Sequence, residues 1–486
     1  MQAIRDMLAR TAVIAAAVSP RWRMLVTILG LALFVLGLGA VVAMWIERPA
    51  YPDAGAVDLL NNTDFDLYIR AADNLSNNPY RADLGTGMDR YGYPPLVADV
   101  IAAMKWLLGP EIFGPLWPVL CTAALIGALL MMSRNFGAKL GWHWVALALG
   151  VVFIGRVIRM DIYHGQVNSF VLLLLVGGLL LRSQNRVIAA AAAFAVMMSL
   201  KPFMGIVAVY FALRGDWRTA IWSVGLGAAV FAVSFLPTLP NLGDAFTGWR
   251  EATHHFTSPP FITKPDNQSA YGMFLRMFTP TEYSTPWINA PGAVPAFMAL
   301  AVTLASVLAI AGLQLHRDNG AERVGPKPAV LLLECSMVFA LAAFCGPLTE
   351  GNHMILAFAG LAGAAILGAE RMQAHSRNSL LWTLTIIAWA LPCFFVVFPK
   401  QLWLTLGTNA SWSGLDGWEI LLSGRCGLLL LGAGGLTALT LWQERALLAA
   451  QGIARDTRFA RVANRRPSPD RIYRVEDEPS HRMHAE

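Results

Sequence analysis

Long apolar runs dominate this chain, and its polar residues gather in the short segments between them. A helix crossing a bilayer needs about 20 apolar residues, with a range of about 17–25. Runs of that kind lie at 24–46, 112–133, 142–158, 166–182, 219–240, 293–315, 328–345, 353–369, 379–399 and 419–441. A further apolar stretch, 187–213, is interrupted by Lys201-Pro202. Proline breaks the helical ladder and lysine is costly in lipid, so this stretch is predicted to be two short helices meeting near Lys201. Together these segments predict about twelve crossings. The expected fold is an all-α polytopic membrane protein carrying extracytoplasmic amphipathic or re-entrant helices.

Composition agrees with that pattern. Of the 486 residues, 56% are hydrophobic and 14% charged, and the mean hydropathy is +0.51. Soluble domains carry about 25% charged residues, so an ordinary soluble enzyme and a disordered chain are both excluded. The net charge of +6 does not indicate a nucleic-acid partner, because the basic residues are spread over separate loops. Five cysteines without CxxC spacing suggest neither a disulfide framework nor a zinc site, and no metal or cofactor is predicted. The first apolar run is too long for a signal-peptide core, which predicts a retained span.

Basic loops fix the expected orientation. Arg134 to Lys139, Arg182 to Arg186 and Arg214 to Arg218 all fall on one side if both termini are cytoplasmic, as the positive-inside rule requires. A crossing at 94–109 would move these loops outward, so that segment is read as an interfacial or re-entrant helix. The expected organisation is a cytoplasmic N-terminus over 1–23, a transmembrane domain over 24–441 and a cytoplasmic, Arg-rich, disordered tail over 442–486. Outer loops 47–111 and 241–292 form the expected active-site face of an inner-membrane protein. The tail suits membrane lipids bearing anionic headgroups. Glu334 and Arg425 fall inside spans, where a paired structural role and a functional role weigh equally.

The uncommitted polar residues collect at the outer ends of the spans. In Asn61-Asn62-Thr63-Asp64-Phe65-Asp66-Leu67-Tyr68, Thr63 and Asp66 have capping-box spacing, so a helix is predicted to open at Asp64. Phe65, Tyr68, Ile69, Ala72 and Leu75 share its apolar face, with Asp64 at the edge. A carboxylate there serves either as a helix cap or as a general base aimed at the bundle. Gln166 and Asn168 begin a helix whose free N–H groups either are capped or receive a phosphate or sugar. Lys201 either snorkels to headgroups or meets an anionic lipid ligand. His353 either closes a helix end or helps to hold a phosphate. His254, His255, Asn267 and Gln268 add hydrogen-bonding groups in the 241–292 loop.

Taken in order, several segments resemble the polytopic class C glycosyltransferases, and within them glycosyltransferase family 87. They are Asp64-Phe65-Asp66-Leu67-Tyr68, Asn78-Pro79-Tyr80, Tyr93-Pro94-Pro95-Leu96, Gly165-Gln166-Val167-Asn168, Lys201-Pro202 and Asn267-Gln268-Ser269. The resemblance runs over roughly 24–370. It departs at Gly346-Pro347, which leads to Asn352-His353 without the usual tryptophan and second histidine, and at the proline directly after Lys201. It implies a metal-independent, inverting transfer of a sugar, mannose first, from a polyprenyl-phosphate donor to a lipid or glycan acceptor at the outer leaflet. In that scheme Asp64 is the base, and Lys201 and His353 hold the donor phosphate. Tyr68, Tyr93, Gln166 and Asn168 orient sugar or acceptor, and His254, His255, Asn267 and Gln268 also bind them. Another lipid-linked pentose or hexose, or a lipid-linked-sugar flippase, is the alternative.

Overall fold

A computed structural model describes residues 19–46, 64–80, 91–136, 141–265, 267–313, 327–349, 351–373, 379–397 and 415–450. Thr63, most of the tail and the first part of the outer loop lie outside them. The described residues are mainly helical, with one isolated bridge between Ser284 and Leu415 and no strand among them. The fold is that of an all-α polytopic membrane protein.

Six helices are long and apolar enough to span a bilayer: Pro20–Ala43, Pro110–Asn135, Ala293–Leu313, Pro328–Cys345, His353–Arg371 and Arg425–Glu444. A seventh arises if Trp217–Ser234 and Leu236–Phe256, bent by 58° at their junction, count as one. Twelve crossings would require the shorter apolar helices Trp142–Ile154, Asn168–Ser183, Val187–Leu200, Pro202–Leu213 and Ser379–Phe394 to cross as well. At about 1.5 Å per residue these fall short of a hydrocarbon core of about 30 Å. The segment Leu96–Leu108 is a single 13-residue helix. It buries Val97, Ala98 and Ile101 while exposing Trp106 and Leu107.

Packing is organised around Pro328–Cys345, whose side chains are nearly all buried. On the flank, Pro20–Ile46 lies against Trp142–Ile154 at glycine contacts. A Cβ on Gly30 would stand 2.4 Å from the Ala146 carbonyl carbon, and one on Gly150 2.3 Å from the Gly30 oxygen. Small residues let two backbones approach in this way, which is how helices gain attraction in lipid. The basic turns are tied to each other, Arg182 Nε donating to Asp216 at 2.5 Å and to Thr219 at 3.0 Å. By its contacts the chain divides into Met1–Trp442 and Gln443–Glu486. Of the second unit only the end of the helix Arg425–Ala450 is described.

Candidate active site

The helix Asp64–Asp73 begins at Asp64, its apolar face is buried at Phe65, Tyr68, Ile69 and Ala72, and Leu75 is buried in the turn that follows. Phe65 anchors it, with its ring 5.6 Å from that of Phe113 and 5.8 Å from that of Trp117. The first turn is pinned as Phe65 N donates to the His164 carbonyl at 2.9 Å, and Trp117 Nε1 to the Gly165 carbonyl at 2.9 Å. Gly165 has φ of +66°, and a Cβ there would lie 2.6 Å from Phe65 Cβ. Only glycine combines that backbone with so close an approach. The contact brings Asp64 beside Gln166, whose Nε2 donates to Asp64 Oδ2.

A tyrosine cluster backs this junction. The Tyr68 ring meets Tyr93 at 5.2 Å and Tyr91 at 6.2 Å, both edge-on. Burial, with Tyr93 and Asp64 beside it, pushes the Tyr68 hydroxyl well above its ordinary pKa, so it stays protonated. Tyr91 holds the neighbouring helix start, donating to the Pro94 carbonyl at 2.7 Å and accepting from Ala98 N at 3.2 Å. The Tyr93 hydroxyl reaches Gln166 Oε1 at 3.5 Å.

Lys201 stands where Val187–Leu200 gives way to the 3₁₀ turn Pro202–Gly205, on extended backbone, and it is buried. Its Nζ lies 5.9 Å from the Tyr93 ring centre and 6.0 Å from that of Phe203. His353 sits on a 3₁₀ turn, Gly351–Leu356, with its ring 5.0 Å from Phe203.

These groups share one cavity of about 730 Å³. Asp64, Tyr93, Gln166, Lys201 and His353 line it, together with Lys264, Thr253, Thr257 and Thr349. The rest of the wall is apolar, including Leu67, Phe203, Ile206, Val209, Trp249, Phe256, Phe261, Phe339 and Leu348. Cavities that bind small molecules measure about 300–1,000 Å³ and pair an apolar lining with a few convergent polar groups. A carboxylate that accepts a hydrogen bond, a lysine and a histidine in such a lining have the chemistry to bind a ligand that carries both an anion and an apolar part.

Other predicted residues fall elsewhere. Tyr68 and Asn168 lie behind the lining. His254 is exposed, and His255 packs on Phe256 and Phe261 instead of lining the cavity. Asn267 is committed to a joint, its Nδ2 donating to the Ile262 and Pro347 carbonyls at 3.0 and 2.7 Å, its Oδ1 accepting from Ser269 and Thr349 N. Asn267 is 1% exposed, enclosed by that joint. Gln268 is likewise structural, its Oε1 accepting from Cys426 N at 3.0 Å. Glu334 accepts from Arg214 and from Tyr210, the latter at 3.0 Å, so the paired reading of that residue holds.

Lys264 and Trp249 are cavity residues that sequence patterns did not single out. Lys264 Nζ lies 4.3 Å from the Phe261 ring, and its loop is held by the fully buried Arg276, which donates to the Thr263, Lys264 and Asn267 carbonyls. The only local signal was a lysine before a proline in a polar loop. Among the described residues no three His, Cys, Asp or Glu side chains cluster as a metal site.

A family model described as Glycosyltransferase family 87 matches residues 91–344, more than half of the chain. The chain belongs to glycosyltransferase family 87. It is therefore a membrane glycosyltransferase. The family 87 match contains Tyr93, Gln166 and Lys201, while Asp64 and His353 join the same cavity from outside the matched segment. No curated protein matches the chain.

Proposed function

We propose that this family 87 enzyme transfers a sugar, mannose first among candidates, from a polyprenyl-phosphate donor to a lipid or glycan acceptor. The observation that carries the reading is that Asp64, Lys201 and His353 line one largely apolar cavity. Asp64 takes the proton from the acceptor hydroxyl as that oxygen attacks the anomeric carbon, and the anomeric C–O bond to the donor phosphate breaks with inversion. Positioned bases contribute about 10²–10⁴-fold to such steps. Lys201 and His353 meet the negative charge that grows on the departing phosphate, where fixed cations and donors act most strongly. The apolar wall takes the polyprenyl chain, and Tyr93 and Gln166 orient the sugar and acceptor. The site opens to the outer leaflet of the inner membrane, with both termini cytoplasmic, because the basic loops favour that orientation.

Purified protein supplied with synthetic polyprenyl-phosphate mannose, glucose and arabinose, and with a lipid and glycan extract as acceptor, tests the reading. Transfer from one of these donors, abolished in Asp64→Asn, is the expected result. Transfer only from nucleotide sugars would overturn the donor class, and full activity in Asp64→Asn would remove the base.

A further inference from the structure

A second carboxylate lies behind the cavity wall, in the same chain of side chains as Asp64, and the proposed reaction makes no use of it. Asp161 is on the helix Arg156–Tyr163, 2% exposed and absent from the lining. Its Oδ1 accepts from Asn168 Nδ2, and that nitrogen also lies 3.4 Å from Gln166 Oε1. The far end of the Gln166 amide, Nε2, donates to Asp64. The backbone is fixed as well, since Gln166 N donates to the Asp161 carbonyl at 2.9 Å.

An amide has one donating and one accepting end, so the orientation of each in a buried row dictates the next. The Asp161 oxygen accepts, which turns the Asn168 NH₂ toward it. That NH₂ in turn draws the Gln166 oxygen inward and leaves the Gln166 NH₂ for Asp64. Reversing either amide alone would set like against like between buried groups, Asn168 being 2% and Gln166 6% exposed.

We infer that Asp161 is a positioning residue for the transfer reaction: through Asn168 it sets the sense of the Gln166 amide and so holds Asp64 as a hydrogen-bond-accepting carboxylate. This rests on the reading of Asp64 as the base. The titratable neighbours acting on Asp161 are Lys201, Asp64 and the Cys121 thiol. Burial raises its carboxyl to about 7, with Asp64 adding to the rise and Asn168 and Lys201 opposing it.

The test compares pH profiles of kcat/KM for the full-length wild type, Asp161→Leu and the exchange Asp161→Asn with Asn168→Asp, using the polyprenyl-phosphate sugar that supports transfer. Asp64→Asn is the reference. Asp161→Leu, which leaves no acceptor for the Asn168 NH₂ where an asparagine oxygen would still accept, is expected to lower kcat at pH 7 about ten- to a hundredfold, because the ordered Gln166 hydrogen bond to the Asp64 carboxylate is lost. Donor KM stays within about twofold, and the acid limb moves to higher pH, since a donor that favours the anion is gone. The exchange keeps composition and charge but places an acceptor against the Gln166 oxygen, so it reverses the row and shows the same loss. It also carries the test if the single variant does not fold. Either variant, melting cooperatively and keeping wild-type kcat and acid limb while Asp64→Asn is inactive, overturns the inference alone. An active Asp64→Asn overturns the base assignment and this inference with it.

Discussion

Two clusters of buried charge occupy the same bundle and differ in what they face. At Glu334 the carboxylate accepts from Arg214 and Tyr210, and Arg214 also reaches the Tyr210 hydroxyl at 3.1 Å; none of the three lines the cavity. At Asp64 the carboxylate accepts from Gln166 and forms part of a cavity wall shared with Lys201 and His353. Burying charge is costly unless a partner offsets it. The first cluster closes its charges on one another and ties the Ile206–Leu213 region to Pro328–Cys345. The second presents its polar groups to an open cavity. Burial alone therefore does not separate the two carboxylates; the cavity beside Asp64 does.

The comparison is sharpened most by Asp64→Asn, expected to cut transfer about 10²–10⁴-fold with little change in melting temperature, as scintillation or mass-spectrometric assay and thermal unfolding in detergent would record. Next, Lys201→Gln should lower kcat about 10²–10³-fold, read in single-turnover transfer from a bound donor. The Glu334 cluster should respond in the opposite way. Arg214→Ala strands a buried carboxylate and should reduce stability by about 3–5 kcal/mol, while turnover per folded molecule stays within about threefold. Loss of turnover without earlier melting would break the contrast.

Gly165→Ala forces a side chain onto left-handed backbone against Phe65, at a cost of about 1–3 kcal/mol. It should shift Asp64 away from Gln166, lowering kcat more than donor affinity. The last prediction concerns the pH dependence of stability at Asp161. Its carboxyl is raised from 3.8 to about 7, so the folded chain holds a proton that the unfolded chain releases, and stability falls as pH rises through that window. Asp161→Asn lacks this fall. The melting temperature of the variant relative to wild type should therefore climb between about pH 4 and pH 7 and level off above.

Much of this was legible in one dimension. Apolar runs gave a multi-pass α-helical membrane protein because lipid leaves the backbone no partner but itself. The period of Phe65, Tyr68, Ile69 and Ala72 gave the helix at Asp64 and its buried face, and Lys201-Pro202 gave the break between Val187–Leu200 and Ile206–Leu213. Span number was less legible, because hydropathy windows do not separate a 16-residue helix such as Asn168–Ser183 from a full crossing. Asn267 and Gln268 read as ligand groups, yet the Asn267 amide and the Gln268 Oε1 join loops distant in sequence, and neither residue lines the cavity.

Order along the chain thus determined the membrane class, the helix breaks and the chemistry available at them, since those depend on local sterics and solvation. Only the tertiary structure decided that residues 64, 93, 166, 201 and 353 enclose one cavity and that residue 334 closes on residue 214. Juxtaposition across 289 positions, from 64 to 353, depends on packing between helices, and no local period encodes it.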